Sequence, residues 1–234
     1  MNILRMLNIP ILNPAVDKMD PQVRILIAGY FGFDNAGDEL ILDAMIRDFR
    51  ANLPEIEITV ISGNPENTKK IHHVNAVGWE NIPLIISEMD TCDMVIIGGG
   101  GVFHDYWGFE HTSILTSKHI GLSFYSSIAI LAAVKRKPLM LYGVGVGPLI
   151  TREGNSIVRT IANQAARITV RDDESQKVLL ALGIHREKIR ITADPAFSKP
   201  ASPNQMNDHP TDAVRHPLVG VALRNWDVAV DPAV

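Results

Sequence analysis

The sequence predicts an α/β fold, a Rossmann-like, doubly wound parallel sheet with helices on both faces. Short apolar stretches alternate with stretches of helical periodicity from residue 24 to residue 192. The apolar stretches do not alternate polar with apolar side chains, which is typical of strands buried on both faces. Glycines follow three of the predicted strands, as expected where parallel strands give way to ligand-binding loops.

Six or seven strands are predicted before residue 195. Each is a short run of aliphatic and β-branched residues bounded by turn-forming residues. The first ends in glycine, and the fourth runs directly into four glycines. The strands are expected at residues 24–30, 56–61, 74–77, 94–97, 138–142, 168–170 and 189–192.

Helices are predicted between consecutive strands. In the first helix, apolar residues recur at the spacing of one helix face from Leu40 to Phe49. Gly183 is placed to end the last helix, because glycine is favoured just beyond a helix C-terminus. The helices are expected at residues 38–49, 66–71, 82–89, 114–136, 156–166 and 173–182.

Composition narrows the classes of function. Of the 234 residues, 46% are hydrophobic and 21% are charged, and the net charge of −4 argues against a nucleic-acid-binding protein. The one cysteine excludes an intrachain disulfide and a cysteine-based zinc site, and the sequence calls for no other metal. The longest apolar run, residues 120–134, is too short to span a bilayer, so any membrane contact is expected to be peripheral.

The chain is expected to have four parts. Residues 1–22 are interpreted as an N-terminal extension, because prolines interrupt their apolar stretch and the features of a signal peptide are missing. Residues 23–197 are predicted to form the Rossmann-like domain, and the proline-rich residues 198–217 a linker. Residues 218–234 begin with a fresh strand, which predicts the start of a truncated second domain.

Three predicted strand ends are rich in glycine, at residues 29–37, 98–101 and 143–147. In an open parallel sheet these ends lie at one edge, where ligands bind. Glycine permits a positive φ and close approach to the backbone amides, and a helix that begins there adds its positive dipole end. Each turn, taken alone, could instead be a tight turn without a ligand. Together they predict a pocket for a phosphate, a carboxylate or a sugar hydroxyl.

The first of these turns carries two carboxylates. It matches neither the dinucleotide fingerprint nor the P-loop, because Gly37 is followed by Asp38 and not by lysine. Asp38 and Glu39 open the predicted helix, where carboxylates complement the helix dipole. At the mouth of a pocket they would repel a phosphate and would suit sugar hydroxyls, whose protons they can accept.

These residues resemble a known family. The segment GYFGFDNAGDELI at residues 29–41 is similar to the opening motif of the polysaccharide pyruvyl transferases, and the resemblance extends over residues 24 to 230. It is closest to the bacterial cell-wall branch of that family. Later blocks follow in the family's order at residues 95–101, 143–148, 170–175, 193–197 and 220–226.

The resemblance implies a function. Members of this family move the enolpyruvyl group of phosphoenolpyruvate onto a sugar of a surface polysaccharide or its lipid-linked precursor, forming a pyruvate ketal. The implied architecture is GT-B-like, with two Rossmann-like domains, and no cofactor is needed beyond phosphoenolpyruvate as donor substrate. The implied location is the cytoplasm, at the inner face of the membrane, and a homo-oligomer is left open.

The resemblance and the glycine-rich edge together suggest a set of site residues. Asp38 and His104 are predicted to be catalytic, and much of the family's arginine and histidine machinery is expected in the second domain. Tyr106, Trp107 and Phe109 could stack on a sugar or pack in the core. The predicted substrate-binding residues are Gly32, Asn35 and Gly37 in an acceptor-side loop, Gly99, Gly100 and Gly101 in an amide cradle, and Arg171 and Arg224 as anion-binding groups.

Each functional role has a structural alternative. Arg171 could pair with Asp172 or Asp173, Arg224 could be a solvated strand end, and His104 a solvated loop residue. The pair His72 and His73 is interpreted as incidental. For the whole chain, the alternatives are a GT-B-like glycosyltransferase that uses a nucleotide sugar and a non-catalytic, truncated domain that binds glycans.

Overall fold

The computed structural model describes residues 22–106 and 108–198, which form one seven-stranded sheet. All strand pairs are parallel, and the order is β3-β2-β1-β4-β5-β6-β7. The predicted Rossmann-like, doubly wound sheet is therefore confirmed. The strands are β1 (Arg24–Ala28), β2 (Glu57–Ser62), β3 (Asn75–Gly78), β4 (Met94–Phe103), β5 (Leu139–Val146), β6 (Arg167–Val170) and β7 (Ile189–Ile191).

Six α-helices connect the strands of the described residues. Three short 3-10 helices, His111–Ser113, Arg186–Lys188 and Pro195–Ser198, complete the connections. Within the described residues, no helix is both long and apolar enough to cross a membrane. The helices are α1 (Ala36–Asn52), α2 (Pro65–His72), α3 (Ile82–Thr91), α4 (Leu122–Val134), α5 (Arg152–Gln164) and α6 (Asp173–Ala181).

The core has two layers because successive residues of a buried strand face opposite sides of the sheet. In β4, Met94 and Ile96 pack with α1 residues such as Met45. The alternate residues Val95 and Ile97 belong to the other layer of the core. Helices α3, α4, α5 and α6 contribute to that layer. The direction of winding thus reverses between β1 and β4, and this topological switch point opens a crevice at their carboxyl ends.

Two predicted boundaries are wrong. The strand expected at residues 94–97 does not stop at the glycines but continues through them to Phe103. The helix expected at residues 114–136 begins only at Leu122, because Leu115 and Gly121 adopt φ values of 59° and 50° that a right-handed helix excludes. The predicted helix stop is confirmed, since α6 is followed by Gly183 with a φ of 82°.

A clamp joins the start of α1 to the end of α2. One carboxylate oxygen of Glu39 accepts a hydrogen bond from the Gly32 amide at 2.7 Å, and the other lies 3.0 Å from Nε2 of His72. The His72 side chain is 4% exposed. Arg50, near the other end of α1, donates to the carbonyls of His72 and His73. The interpretation of His72 as incidental is therefore wrong.

A second buried histidine, His119, lies against Trp79. It is fully buried, stacks on the indole at a centroid distance of 5.6 Å, and approaches the Trp79 carbonyl through Nε2 at 2.8 Å. A carbonyl only accepts, so Nε2 carries the proton. Within the described residues, Nδ1 has no hydrogen-bond partner. Burial lowers the pKa of His119, and the Trp79 carbonyl and Glu80 only partly oppose this.

His119 should make folding stability depend on pH. Because its pKa is lowered in the folded state, the unfolded chain binds more protons below the ordinary value of 6.5. The stability is therefore fully present above pH 6.5 and is lost as pH falls below it, by up to about 1.4 kcal/mol per pH unit. Urea unfolding at several pH values should show this slope, with a smaller slope in His119→Phe. The exposed His185→Gln is the control and should keep the wild-type slope.

The Glu39–His72 contact should contribute measurably to stability. Removing either partner leaves a buried polar group unpaired, so we expect a coupling free energy of about 1–3 kcal/mol in a double-mutant cycle of Glu39→Ala and His72→Ala. Urea unfolding measures it. The exposed Lys69–Glu66 pair, at 2.9 Å, is the control and should show no measurable coupling. Equal coupling in both cycles would contradict the clamp.

Candidate active site

The predicted site residues converge on a strip of glycines at the carboxyl edge of the sheet. Gly100 and Gly101 lie in β4, and Gly145 lies beside them in β5. A Cβ atom on Gly145 would lie 3.1 Å from the Cα of Gly101, so the two backbones are in close contact. We call these three residues the glycine floor, because they present backbone without side chains at this edge.

Asp38 borders one end of the glycine floor. It lies in the first turn of α1, and its Oδ1 is 2.8 Å from the position that a Cβ on Gly100 would occupy. Gly100 has a φ of 74°, which also disfavours any other residue there. The missing side chain at Gly100 therefore makes room for the carboxylate of Asp38.

Arg171 borders the other end. Its Nη2 is 3.6 Å from a Cβ built on Gly101, and its Nε is 3.0 Å from one built on Gly145. The Arg171 side chain is 35% exposed, and its guanidinium binds Asp194 through Nη1 at 3.0 Å, while Nε lies 3.6 Å from Asp172. The ion-pair alternative thus holds with Asp172, and Asp194 is an additional partner. The same pairing fixes the arginine over the glycine floor.

Asp172 is ionised over the whole physiological range. Burial alone would raise its pKa, but hydrogen bonds from Ser175 and the charge of Arg171 outweigh burial and lower the pKa below its ordinary value. Asp172 also caps α6, since its carboxylate accepts a hydrogen bond from the Ser175 amide at 2.7 Å. The Arg171 neighbourhood is therefore a structured ion-pair network.

Two amides of the loop before α1 donate hydrogen bonds to side chains within the same segment. The Gly32 amide donates to Glu39, and the Gly37 amide donates to the side chain of Asn35, which caps α1. Gly32 has a φ of 77° and packs so closely on the turn after β2 that a Cβ there would overlap Ser62. In this loop the structure assigns Gly32, Asn35 and Gly37 to shaping the turn, and it directs Asp38 to the glycine floor.

The four consecutive glycines divide into two pairs. A Cβ on Gly98 would lie 2.8 Å from Cε of Met45, and one on Gly99 would overlap Cγ2 of Ile41. Both glycines therefore let α1 pack closely on the sheet. Gly101 is exposed, whereas Gly99, predicted to be part of an amide cradle, lies under α1.

His104 and Asp105 follow β4 directly. His104 is half-buried, so it is not a solvated loop residue, and its ring lies 4.6 Å from that of Tyr106. Burial lowers the pKa of His104, and Asp105 partly opposes this, so the imidazole is neutral at neutral pH. Asp105 is 2% exposed and accepts from the Ile150 amide at 2.5 Å and from the amide and hydroxyl of Thr151 at 2.8 and 2.5 Å.

Asp105, which the sequence places with His104 shortly after the four-glycine run, has a positioning role that was not predicted. It fixes the loop between β5 and α5, which contains a cis peptide bond before Pro148. Of the other predicted residues, Phe109 packs against the core, which favours the packing alternative over stacking on a sugar. Trp107 and Arg224 lie outside the described residues, as do most of the predicted extension and linker and all of the predicted second domain.

A separate groove lies elsewhere on the described domain. It has a volume of about 960 Å³ beside β6 and β7, and Tyr142, Arg167, Arg190 and Phe197 are among the residues that line it. Asp194 borders it, but no residue predicted for the site does. We place the candidate site at the glycine floor, where the predicted residues converge. In the described parts of the chain, no three potential metal ligands lie close enough to hold an ion.

Comparison with solved structures bears on the fold alone. HepE from Anabaena, in complex with UDP, superposes with a TM-score of 0.51 at 12% identity, covering 74% of this chain and 44% of HepE. UDP-N-acetylglucosamine 2-epimerase from Rickettsia bellii has a TM-score of 0.48 at 12% identity, covering 74% of this chain and 45% of the epimerase.

Comparison of sequences identifies the family. Amylovoran biosynthesis protein AmsJ from Erwinia amylovora is 23% identical over 202 residues, which are 75% of this chain and 49% of AmsJ. The chain thus spans about half the length of this relative. The family model described as polysaccharide pyruvyl transferase matches residues 35–228, which is most of the chain. The chain therefore belongs to the polysaccharide pyruvyl transferase family.

Proposed function

We propose that this chain contributes to an enzyme that transfers the enolpyruvyl group of phosphoenolpyruvate to a sugar of a cell-wall or exopolysaccharide precursor. Family membership supports the reaction class. The observation that carries the proposal is the glycine floor, with the carboxylate of Asp38 at one end and the guanidinium of Arg171 at the other. This arrangement suits a neutral hydroxyl beside an anionic donor.

The proposed reaction needs two proton transfers. One sugar hydroxyl adds to C2 of phosphoenolpyruvate while a proton is added to the methylene carbon C3. A second hydroxyl then replaces the phosphate at C2, and the pyruvate ketal and inorganic phosphate are the products. The two hydroxyl protons balance the proton gained by C3 and the one released with phosphate. The site therefore needs a base near the hydroxyls and cations near the phosphate and carboxylate.

The described residues fit these roles in part. Asp38 is the proposed acceptor of a hydroxyl proton or hydrogen bond. Arg171 is proposed to bind the carboxylate or phosphate of the donor, and Arg224 to assist from outside the described residues. The neutral imidazole of His104 can accept a proton at neutral pH. No cofactor is required by this chemistry.

The proposed setting follows from the substrates. Phosphoenolpyruvate is made in the cytoplasm, and a lipid-linked or polymeric sugar would be met at the inner face of the membrane. We propose peripheral contact there. A nucleotide-sugar glycosyltransferase is the alternative, because HepE, which shares the fold, was solved with UDP. At 12% identity that likeness extends to the fold alone, so the alternative is tested directly.

Phosphate release from phosphoenolpyruvate by the 234-residue chain tests the proposal, with a lipid-linked glycan extract as acceptor and ³¹P NMR to follow donor binding. We expect Asp38→Asn to lower turnover about 100-fold or more, because it removes a proton acceptor. We expect Arg171→Gln to weaken donor binding about ten-fold, because it removes a charged hydrogen-bond partner.

Matched control variants are available for both substitutions. Asp34→Asn changes an exposed carboxylate of the same loop, whose φ of 58° asparagine tolerates, and Arg186→Gln changes an exposed arginine. Both should behave like wild type. Donor binding that depends on Arg171 supports the proposal even without turnover. Release of nucleotide from a nucleotide sugar, or neither binding nor release with phosphoenolpyruvate, would contradict it.

A further inference from the structure

We propose that Tyr30, stacked on Phe33, is the platform on which the acceptor sugar ring lies. This inference rests on the proposed function for its setting, since it names the subsite that would hold the acceptor beside Asp38. It is carried by the aromatic packing at the end of β1, which differs from the surroundings of the other exposed apolar side chains.

The ring of Tyr30 is stacked on a neighbouring ring and is partly exposed to solvent. Its ring lies 4.5 Å from that of Phe33, centroid to centroid, with an angle of 15° between the planes. The Tyr30 residue is nevertheless 48% exposed. Because Phe33 covers one face of the ring, the opposite face accounts for much of the exposed surface.

Phe33 is itself fixed from below. Gly63 leaves the space that Phe33 occupies, because a Cβ there would lie 2.5 Å from Cε1 of the ring. Trp79 meets Phe33 edge-on at 5.7 Å and in turn stacks on the buried His119. His119 and Trp79 both contact Phe124 in the core. The exposed ring therefore ends a continuous row of aromatic side chains that reaches into the interior.

The row ends beside the glycine floor. The register pairs Ala28, the last residue of β1, with Ile97 of β4. A Cβ built on Gly29 would lie 2.6 Å from the carbonyl oxygen of Gly98, so Tyr30 directly follows a residue that lies against the glycine run of β4. Asp38 reaches Gly100 in the same run. Burial raises the pKa of the Tyr125 phenol, and Asp38 and Tyr30 raise it further. Both residues therefore lie near this phenol. Tyr30 and Asp38 thus border one small area.

The chemistry of this area selects a neutral sugar. A preorganised aromatic face attracts the C–H side of a pyranose ring, while a carboxylate beside it accepts hydrogen bonds from the ring hydroxyls. Phosphoenolpyruvate would be repelled by Asp38 and by the exposed Asp34, and Arg171 offers it a place at the other end of the glycine floor. The acceptor is therefore assigned to the Tyr30 end.

Saturation-transfer NMR on the 234-residue chain tests this assignment without any donor present. The probes are the methyl pyranosides of glucose, galactose, mannose, N-acetylglucosamine and N-acetylmannosamine. We expect saturation of ring C–H protons in at least one of them. Tyr30→Ala should weaken that binding about five-fold, and Tyr30→Phe should preserve it, because the aromatic face and not the hydroxyl carries the contact.

Two further variants separate stacking from folding. Tyr30→Leu keeps an apolar cover over Phe33 but has no aromatic face, so it should bind as weakly as Tyr30→Ala while unfolding in urea like wild type. Phe197→Ala removes a ring that is 83% exposed elsewhere and should leave sugar binding unchanged. Wild-type binding by Tyr30→Leu, or no saturation of any probe by the wild-type chain, would overturn the platform.

The donor-free design keeps the two proposals distinct. If sugars bind through Tyr30 but phosphoenolpyruvate is neither bound nor consumed, the pyruvyl transfer proposal fails and the platform stands. If phosphate is released from phosphoenolpyruvate while Tyr30→Leu matches wild type in sugar binding, the platform fails and the pyruvyl transfer proposal stands.

Discussion

The close packing of α1 on β4 is the constraint on which the site depends. Gly98 and Gly99 have no Cβ, so Met45 and Ile41 of α1 approach the backbone of the strand directly. A side chain at either glycine would overlap with the helix and push it away. Because Asp38 is carried by the first turn of the same helix, this packing distance decides whether its carboxylate reaches the glycine floor. The run of glycines thus acts first through packing, and of the four only Gly101, at its far end, is exposed.

A second constraint fixes the same helix from the side of α2. His72 holds Glu39, which in turn holds the amide of Gly32, so the loop between β1 and α1 is tied at a point next to Asp38. The Asn35 cap and the αL conformation of Asp34 complete the turn. The local conformations of Asp34 and Asn35 therefore agree with the contacts that Glu39 makes to His72 and Gly32. Together they restrain a loop that is rich in glycine. Rigidity of this kind is what a positioned carboxylate requires for catalysis.

The features of the fold that depend on residues close together in the sequence were predicted correctly. The order of strands and helices and the arrival of Asp38 at the sheet edge depend on neighbours within a few residues. The errors arise where the partner is distant in sequence. His72 looked incidental because Glu39 lies 33 residues before it, and the positioning role of Asp105 was not predicted because its partners lie 45 and 46 residues after it. The glycines of β4 look like a turn until Ile41 is placed above them. Which site residues bind substrate stays a prediction.

The charges around the glycine floor indicate which kind of substrate these residues suit. Arg171 pairs with Asp172 and Asp194, and Asp38 lies at the other end of the glycine floor. The site therefore contains one guanidinium and three carboxylates. A phosphate and a carboxylate on one small molecule are attracted only weakly by such a balance, because each fixed carboxylate offsets part of the attraction. A neutral sugar meets no such penalty, and the carboxylates provide acceptors for its hydroxyls. The described residues are therefore better suited to holding a neutral sugar than to holding the donor of the proposed reaction alone, and under that proposal Arg224 or another cation would strengthen donor binding.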